Sequence, residues 1–171
     1  RTIVVMKHVG LNVAADPFFS AALTGGGGGL VVVSADDPGM HSSQGEQDNR
    51  NYARFARVPL LEPSDSQECI DMMRAGLEMS EQFDTPVLLR TTGRVSHAQS
   101  VVDVDAEHIQ RPPAEAAAFK RDPSKWVLLP ANARQRRQVM AGRLEDLRQY
   151  AETSPLNFSV GGDRRLGIVT S

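Results

Sequence analysis

The residues whose side chains are best suited to binding and catalysis form a polar stretch at positions 33–50. It contains two adjacent carboxylates, a histidine, two consecutive serines and several side-chain amides, and it follows the apolar run 29–32. Such a run is typical of a buried strand, and α/β proteins place ligand-binding and proton-transferring side chains in the loops that follow strands. Polarity alone is equally compatible with a solvated surface loop. The surrounding elements must therefore show whether this stretch is a functional site or a solvated surface loop.

Asp36 and Asp37 are the two carboxylates of this stretch. Neighbouring residues of an extended segment point in opposite directions, so the two are not expected to share a proton. We expect one of them to contact a ligand or a neighbouring domain and the other to cap the loop.

Two further apolar runs also end in polar residues. Residues 2–6 lead into Lys7-His8-Val9-Gly10-Leu11-Asn12, and residues 87–92 lead to Arg94, Ser96 and His97. In a parallel sheet with crossover helices, all these loops open on one edge. We therefore expect segments 7–12, 36–50 and 91–97 to converge, with His8 in an exposed loop position and Asn12 as the N-cap of a helix over 13–23.

The remaining pattern predicts an α/β fold, a mostly parallel sheet with helices on both faces. A capping box at residues 64–68 predicts a helix whose apolar positions include Ile70, Met73 and Leu77. A long charged helix over 132–152, with Val139, Met140, Leu144 and Leu147 as its apolar stripe, is interpreted as a connector between domains. Weaker patterns suggest an edge strand at 101–104, a turn at 111–113, a helix at 114–120 and an anchoring role for Trp126.

The glycine run at 25–29 has two interpretations. Glycine exposes backbone N–H groups that bind phosphate, but a phosphate loop follows a strand and opens a helix. This run follows a predicted helix and opens a strand. A helix C-cap with a flexible connection is therefore the favoured interpretation.

Composition excludes several classes of function. The net charge of -2 gives no electrostatic reason to expect nucleic acid or an anionic membrane as partner. One cysteine, Cys69, allows neither an internal disulfide nor a Cys-x-x-Cys metal site and fits a reducing, cytoplasmic location. No apolar run reaches the length of about 18 residues that a membrane helix needs, and no signal peptide is visible.

Hydrolase chemistry finds little support. The four histidines, at positions 8, 41, 97 and 108, show no i, i+4 pairing and no His-Glu-x-x-His motif, and Gly-x-Ser-x-Gly is absent. No metal ligand and no certain catalytic residue is predicted within this chain.

Several collinear blocks cover nearly the whole chain: 6–17, 33–44, 46–50, 63–68, 85–92, 94–97 and 126–133. They closely resemble the large (alpha) subunits of indolepyruvate:ferredoxin oxidoreductases. The family is one of thiamine-diphosphate-dependent 2-oxoacid oxidoreductases. The resemblance implies oxidative decarboxylation of an aryl pyruvate, with coenzyme A accepting the acyl group and ferredoxin the electrons.

The resemblance also implies site residues, cofactors and partners. It places the loop of residues 7–12 near thiamine diphosphate and the loop of residues 36–50 near the substrate and a partner domain. Mg²⁺, [4Fe-4S] clusters and a small (beta) subunit belong to the full enzyme. The implied cofactor contacts are Lys7, His8, Gly10, Leu11 and Asn12, and the implied substrate or domain-interface residues are Asp36, Asp37, His41, Ser42, Ser43, Gln44, Gln47, Asp48 and Arg50.

The two ends of the sequence suggest a piece of a longer polypeptide. We expect residues 1–110 to form most of a pyrimidine-binding domain, 111–160 a linker with a long helix, and 161–171 the first strand of another domain. The family's activating glutamate would lie upstream, and its diphosphate-binding and cluster regions downstream. The isolated chain is therefore expected to bind no cofactor and to be inactive. The alternative is a non-catalytic α/β binding or interaction module.

Overall fold

The structure, a computed structural model, describes residues 1–104, 119–162 and 165–168. The predicted turn at 111–113, most of the predicted helix at 114–120, and His108 lie outside the described residues. The elements in chain order are β1 (Thr2–Lys7), α1 (His8–Val13), α2 (Ala15–Thr24), β2 (Leu30–Asp36), α3 (Arg50–Ala56), β3 (Leu60–Leu61), α4 (Ser66–Phe83), β4 (Val87–Thr92), α5 (Gly93–His97), α6 (Pro123–Trp126) and α7 (Pro130–Thr153).

The four described strands form one parallel sheet in the order β1-β2-β4-β3. Val32 lies beside Val4 of β1 and Leu88 of β4, so β2 is central. The apolar runs of β2 and β4 are those of strands covered on both faces. The predicted α/β class and parallel sheet are confirmed.

Two cores lie on opposite faces of the sheet because consecutive strand residues alternate in direction. Val32 and Leu88 pack with Leu11 and Phe18 of the first two helices. Val31, Val87 and Leu89 pack instead with Met79 of α4. Helices therefore cover both faces, as predicted.

The first helix begins earlier than predicted. β1 passes directly into α1 at His8, and a second helix starts at Ala15, so residues 7–12 are not a loop. Gly10 permits this tight turn, because a Cβ at that position would lie 3.0 Å from the Cβ of Met6. Asn12 consequently lies in the last turn of α1, and the prediction that it caps a helix is wrong.

The capping signal before α4 is confirmed. The Asp65 carboxylate accepts the backbone N–H of Glu68, and the Glu68 carboxylate accepts the N–H of Ser64. These two bonds satisfy backbone donors at a helix start.

The glycine run is the predicted helix C-cap and connection. Gly25 has a φ of 78° and donates its N–H to the carbonyl of Ala21. The exposed N–H groups of Gly26 and Gly27 do bind an anion, but it is the chain's own Asp84 carboxylate. A Cβ on Gly27 would also touch the ring of Trp126, whose indole N–H donates to the Lys120 carbonyl.

The long helix α7 packs directly against the sheet domain. It contributes Met140 to one core and Leu147 to the other, whereas Val139 is 47% exposed. Arg143, a charged residue of this helix, is buried and donates to the Ala22 carbonyl. The predicted stripe is therefore only partly right, because arginines share the inward face with apolar residues.

One weaker prediction needs correction. Residues 101–104 form no strand, and the Gln67 side chain bonds both the N–H and the carbonyl of Asp103. Residues 166–168 are irregular and exposed, and 169–171 lie outside the described residues, so the assignment of 161–171 to another domain stays a prediction. None of the helices in the described part combines the length and hydropathy that a membrane span needs.

Candidate functional site at the carboxyl edge of the sheet

The carboxyl ends of β1, β2 and β4 lie side by side at one edge of the sheet. The parallel register brings Lys7 next to Ala35, and Asp36 next to Thr92. This is the edge where open α/β sheets bind ligands. The predicted convergence of the three polar segments is confirmed.

The end of β1 and the last turn of α1 hold the loop that follows β2. The Lys7 ammonium donates to the Ser42 carbonyl at 3.1 Å, and the Asn12 amide donates to the Gln47 side chain at 2.8 Å. Asn12 also accepts the hydroxyl of Tyr52 from α3. The implied cofactor loop and the implied substrate loop are thus one hydrogen-bonded unit.

His8 is fully buried, so the prediction of an exposed loop role is wrong. Its Nε2 lies 3.0 Å from the Gly45 carbonyl, and its Nδ1 lies 3.4 Å from the Ala35 carbonyl. A ring with both nitrogens turned to backbone oxygens braces the loop rather than facing solvent. Leu11 is also fully buried, within the core.

Asp37 is the loop cap. Its carboxylate accepts the N–H groups of Ser42 and His41 at 2.7 and 3.1 Å. These bonds, the Ser42 N–H first, lower the pKa of the Asp37 carboxyl to about 2. They hold the turn in which Gly39 and Met40 adopt positive φ values of 79° and 56°.

Asp36 points the other way, into a buried ion cluster. Its carboxylate lies 2.5 Å from the Arg90 guanidinium, which also contacts Glu62 at 2.5 Å. Burial works against the charge of Arg90, but the two carboxylates outweigh it and raise the Arg90 pKa. Asp36 additionally accepts the N–H of Asn49, whose amide donates to Ser34.

Arg90 and Glu62 are the site residues that the sequence analysis missed. A detectable signal existed, since an arginine inside the apolar run of β4 must be paired when that strand is buried. Which carboxylates pair with it could not be foreseen, because Asp36 and Glu62 lie 54 and 28 residues away.

Two concavities open at this edge. One of about 390 Å³ lies between the ends of β3 and β4, and the other, of about 1210 Å³, lies beside α2 and α3. The first is lined by Pro38, His41, Glu62, Pro63, Ser64, Arg90, Thr92, Gly93, Arg94 and Val95. The second is lined by Asn12, Ala15, Phe19, Gln47, Asp48, Asn49, Asn51, Tyr52, Arg54, Phe55, Arg57 and Arg137.

The other predicted residues lie on the rim of this edge. Asp48 and Arg50 form an exposed bidentate ion pair, with both N–O distances at 2.8 Å. Gln44 is exposed and Ser43 is half-buried. No group of three or more His, Cys, Asp or Glu side chains among the described residues is arranged to hold a metal ion.

Comparisons with known proteins give a consistent result. The chain is 50% identical over its whole length to indolepyruvate oxidoreductase subunit IorA of Methanothermobacter thermautotrophicus, and 44% identical over 99% of its length to IorA of Thermococcus kodakarensis. The Archaeoglobus fulgidus subunit is 43% identical. Over its whole length, the chain is therefore similar to one segment of the IorA subunit. It spans only 28% of the Methanothermobacter protein and 27% of the other two IorA subunits.

The fold also has a counterpart among solved structures. It is similar, with a TM-score of 0.55, to part of a 2-oxoglutarate:ferredoxin oxidoreductase from Magnetococcus marinus solved with 2-oxoglutarate, coenzyme A and succinyl-CoA bound. The match covers 86% of this chain and 33% of that chain at 14% identity, so it concerns the fold alone. No family model matches the sequence.

Proposed function

We propose that this chain is the pyrimidine-binding part of an IorA-type large subunit. The whole enzyme oxidatively decarboxylates aryl pyruvates, with indolepyruvate as the type substrate, forms acyl-CoA and passes electrons to ferredoxin. The observation that carries the proposal is the 42–50% identity over essentially the full chain to six IorA subunits. The converged polar edge supplies a place for the chemistry.

The proposal assigns residues 1–110 to the pyrimidine-binding domain, 111–160 to a linker and 161–171 to the next domain. The enzyme is proposed to be cytoplasmic and to include a small subunit. The Mg²⁺ ion and the iron–sulfur clusters of the enzyme are assigned to other parts of the assembly. This chain has one cysteine, and its described residues form no group of three or more side chains arranged to bind a metal ion.

The residues of the implied cofactor loop fit thiamine diphosphate unequally. Lys7 and Asn12 have exposed side chains at the edge and fit direct contact. His8 and Leu11 are fully buried and do not. We therefore assign His8 to bracing the loop after β2, Leu11 to the core, Gly10 to the close approach of α1 to β1, and only Lys7 and Asn12 to cofactor contact. When bound, thiamine diphosphate supplies the carbanion chemistry.

The loop after β2 is proposed to line the substrate and the partner domain. Asp37 and His8 keep it in one conformation, and this fixed conformation leaves the exposed groups His41, Gln44 and Arg50 at the edge. A preorganised loop lowers the entropy cost of assembling a site between two domains.

The test is an activity assay of the complete two-subunit enzyme loaded with thiamine diphosphate and Mg²⁺. Indolepyruvate-dependent reduction of ferredoxin or a viologen dye is the expected result, with the 171-residue chain alone inactive. No turnover by the complete enzyme would reject the proposal in favour of a non-catalytic binding module.

Two substitutions distinguish a residue that contacts the cofactor from a residue that only supports the fold. Asn12→Ala is expected to lower kcat/KM by about tenfold without lowering Tm, as for the loss of a hydrogen bond to bound ligand. His8→Ala is expected to lower both, because it empties a fully buried position and removes the ring's contacts with the Ala35 and Gly45 carbonyls. Tyr52→Phe is the matched control, since it removes one bond to Asn12 but keeps the ring. An equal loss of Tm in Asn12→Ala would return Asn12 to a structural role.

A further inference from the structure

The wide groove beside α2 and α3 has an aromatic centre. Phe55 is 76% exposed although it is a large apolar side chain. Its ring packs edge-on against Phe19 at 4.9 Å between centroids, and Phe19 stacks on Tyr52 at 5.9 Å. The Tyr52 hydroxyl is held by Asn12. The exposed aromatic is thus fixed on a rigid base, which keeps the entropy cost of binding it low.

Arginines surround this centre. Arg54, Arg57 and Arg137 line the groove, and within the described residues neither the Arg54 nor the Arg57 guanidinium has an ion-pair or hydrogen-bond partner. The Arg137 guanidinium donates a weak hydrogen bond to the Met140 sulfur at 3.8 Å and forms no ion pair within the described part of the chain. The single acid in the lining, Asp48, is already neutralised by Arg50. The groove is therefore electrostatically complementary to an acidic surface.

The size and composition of the groove favour a protein rather than a small molecule. Its volume of about 1210 Å³ exceeds the roughly 300–1,000 Å³ of small-molecule pockets. Aromatic residues and arginine are the types enriched at interfaces between separately folded chains, and they supply most binding hot spots. By contrast, the large exposed hydrophobic residues of β1, Ile3 and Val5, are aliphatic.

We propose that this groove docks an acidic segment of the partner subunit, with an apolar side chain of that segment seated against Phe55. The inference rests on the proposed function, which supplies a partner subunit, and it adds the surface and the chemistry of the contact. Phe55 provides the apolar anchor, and Arg54, Arg57 and Arg137 steer and orient the acidic segment.

The first test is photo-crosslinking in the full-length large subunit mixed with its partner subunit. A benzophenone amino acid replaces Phe55, and the control carries it at Phe158, which is 86% exposed and lies outside the groove lining. We expect position 55 to crosslink to a peptide of the partner subunit rich in Asp and Glu. Crosslinks to the same polypeptide, to a second copy, to a non-acidic peptide, or none at all would overturn the proposal.

The second test measures subunit affinity by calorimetry at two salt concentrations. Phe55→Ala and Arg54→Glu are each expected to weaken association by about tenfold or more, and Arg54→Glu also to reduce its salt dependence. Arg74→Glu is the matched control, because Arg74 is exposed on α4 at the opposite face of the sheet. Unchanged affinity for Phe55→Ala would overturn the proposal.

The two proposals fail in different ways. If the unaltered two-subunit enzyme does not turn over indolepyruvate, the proposed function fails whatever the crosslinks show. If it turns over while Phe55→Ala associates normally at an unchanged Tm, only the docking surface is wrong.

Discussion

Arg90 shows how one buried charge organises the carboxyl edge. It lies in a strand whose other residues are mostly apolar, and its side chain is only 9% exposed. Asp36 and Glu62 contact it from β2 and from the segment after β3. The cluster therefore ties the ends of three strands together at the place where the site forms.

Replacement of Arg90 by Met tests this role. It leaves two carboxylates close together with no cation, and removal of one partner of a buried ion pair costs about 3–5 kcal/mol. We expect the free energy of unfolding of the chain, measured in urea, to fall by that amount. Arg94→Met, at an exposed position on the same edge, is expected to change it by no more than about 0.5 kcal/mol. Equal effects of the two substitutions would contradict the assignment.

Asp37 makes the order of its loop dependent on pH. Its folded pKa is lowered to about 2, whereas an unfolded aspartate titrates near about 3.9. The stabilisation from the charged carboxylate is therefore complete above about pH 4 and is lost as the pH falls towards 2. Amide NMR signals of His41 and Ser42 should follow this transition. The transition should be absent in Asp37→Asn. A transition that persists in this variant would show that another group titrates.

At the level of elements, the junction between α2 and β2 explains why α7 is part of the domain. α2 ends at Thr24, and its last carbonyls accept from Arg136 and Arg143 of α7. Asp84 completes the junction by binding the glycine N–H groups and Lys125. Burial raises the pKa of Asp84, but these partners outweigh burial, so the net pKa is lowered. Helix-end carbonyls that would otherwise lack partners are thus satisfied by distant arginines.

The glycine run offers two matched substitutions. A Cβ on Gly25 would overlap the Asp84 carboxylate at a backbone φ of 78°, whereas a Cβ on Gly28 meets nothing within 4 Å. Gly25→Ala is expected to cost about 2–4 kcal/mol from strain and overlap. Gly28→Ala should be neutral or slightly stabilising. Thermal unfolding of the two variants measures this difference. Similar Tm values would show that the junction between α2 and β2 accommodates the extra Cβ.

At the scale of the whole molecule, the carboxyl edge is proposed to be one wall of a site that other domains complete. The polar groups that face it are largely engaged with each other, as Lys7 with Ser42 and Asn12 with Gln47. Such an edge is ordered before a ligand arrives. Its exposed rim and its arginine-lined groove are surfaces that other chains or domains can contact.

The isolated chain is accordingly expected to show no measurable binding of thiamine diphosphate. Its described residues build no cluster for Mg²⁺, and the implied cofactor residues His8 and Leu11 are buried. Calorimetry with thiamine diphosphate and Mg²⁺ should give no heat for the chain and a clear isotherm for the complete enzyme. Binding to the chain alone would show that residues 7–12 suffice for recognition.

Local pattern was enough for much of this fold. The apolar runs that became β2 and β4, the Asp65 cap of α4 and the Gly25 cap of α2 were all predictable. Each depends on residue type and near-neighbour spacing, which the chain carries in order. The convergence of three polar segments followed from strand direction alone.

Tertiary contacts decided the rest. His8 is a loop brace, Asn12 ends a helix rather than starting one, and Arg143 is buried, because their side chains bind partners 27 to 121 residues away. The sequence by itself determined that a polar edge would form beside a parallel sheet. Only the folded chain determined which side chains brace that edge and which face outward, since burial of a polar group depends on partners that local spacing does not specify.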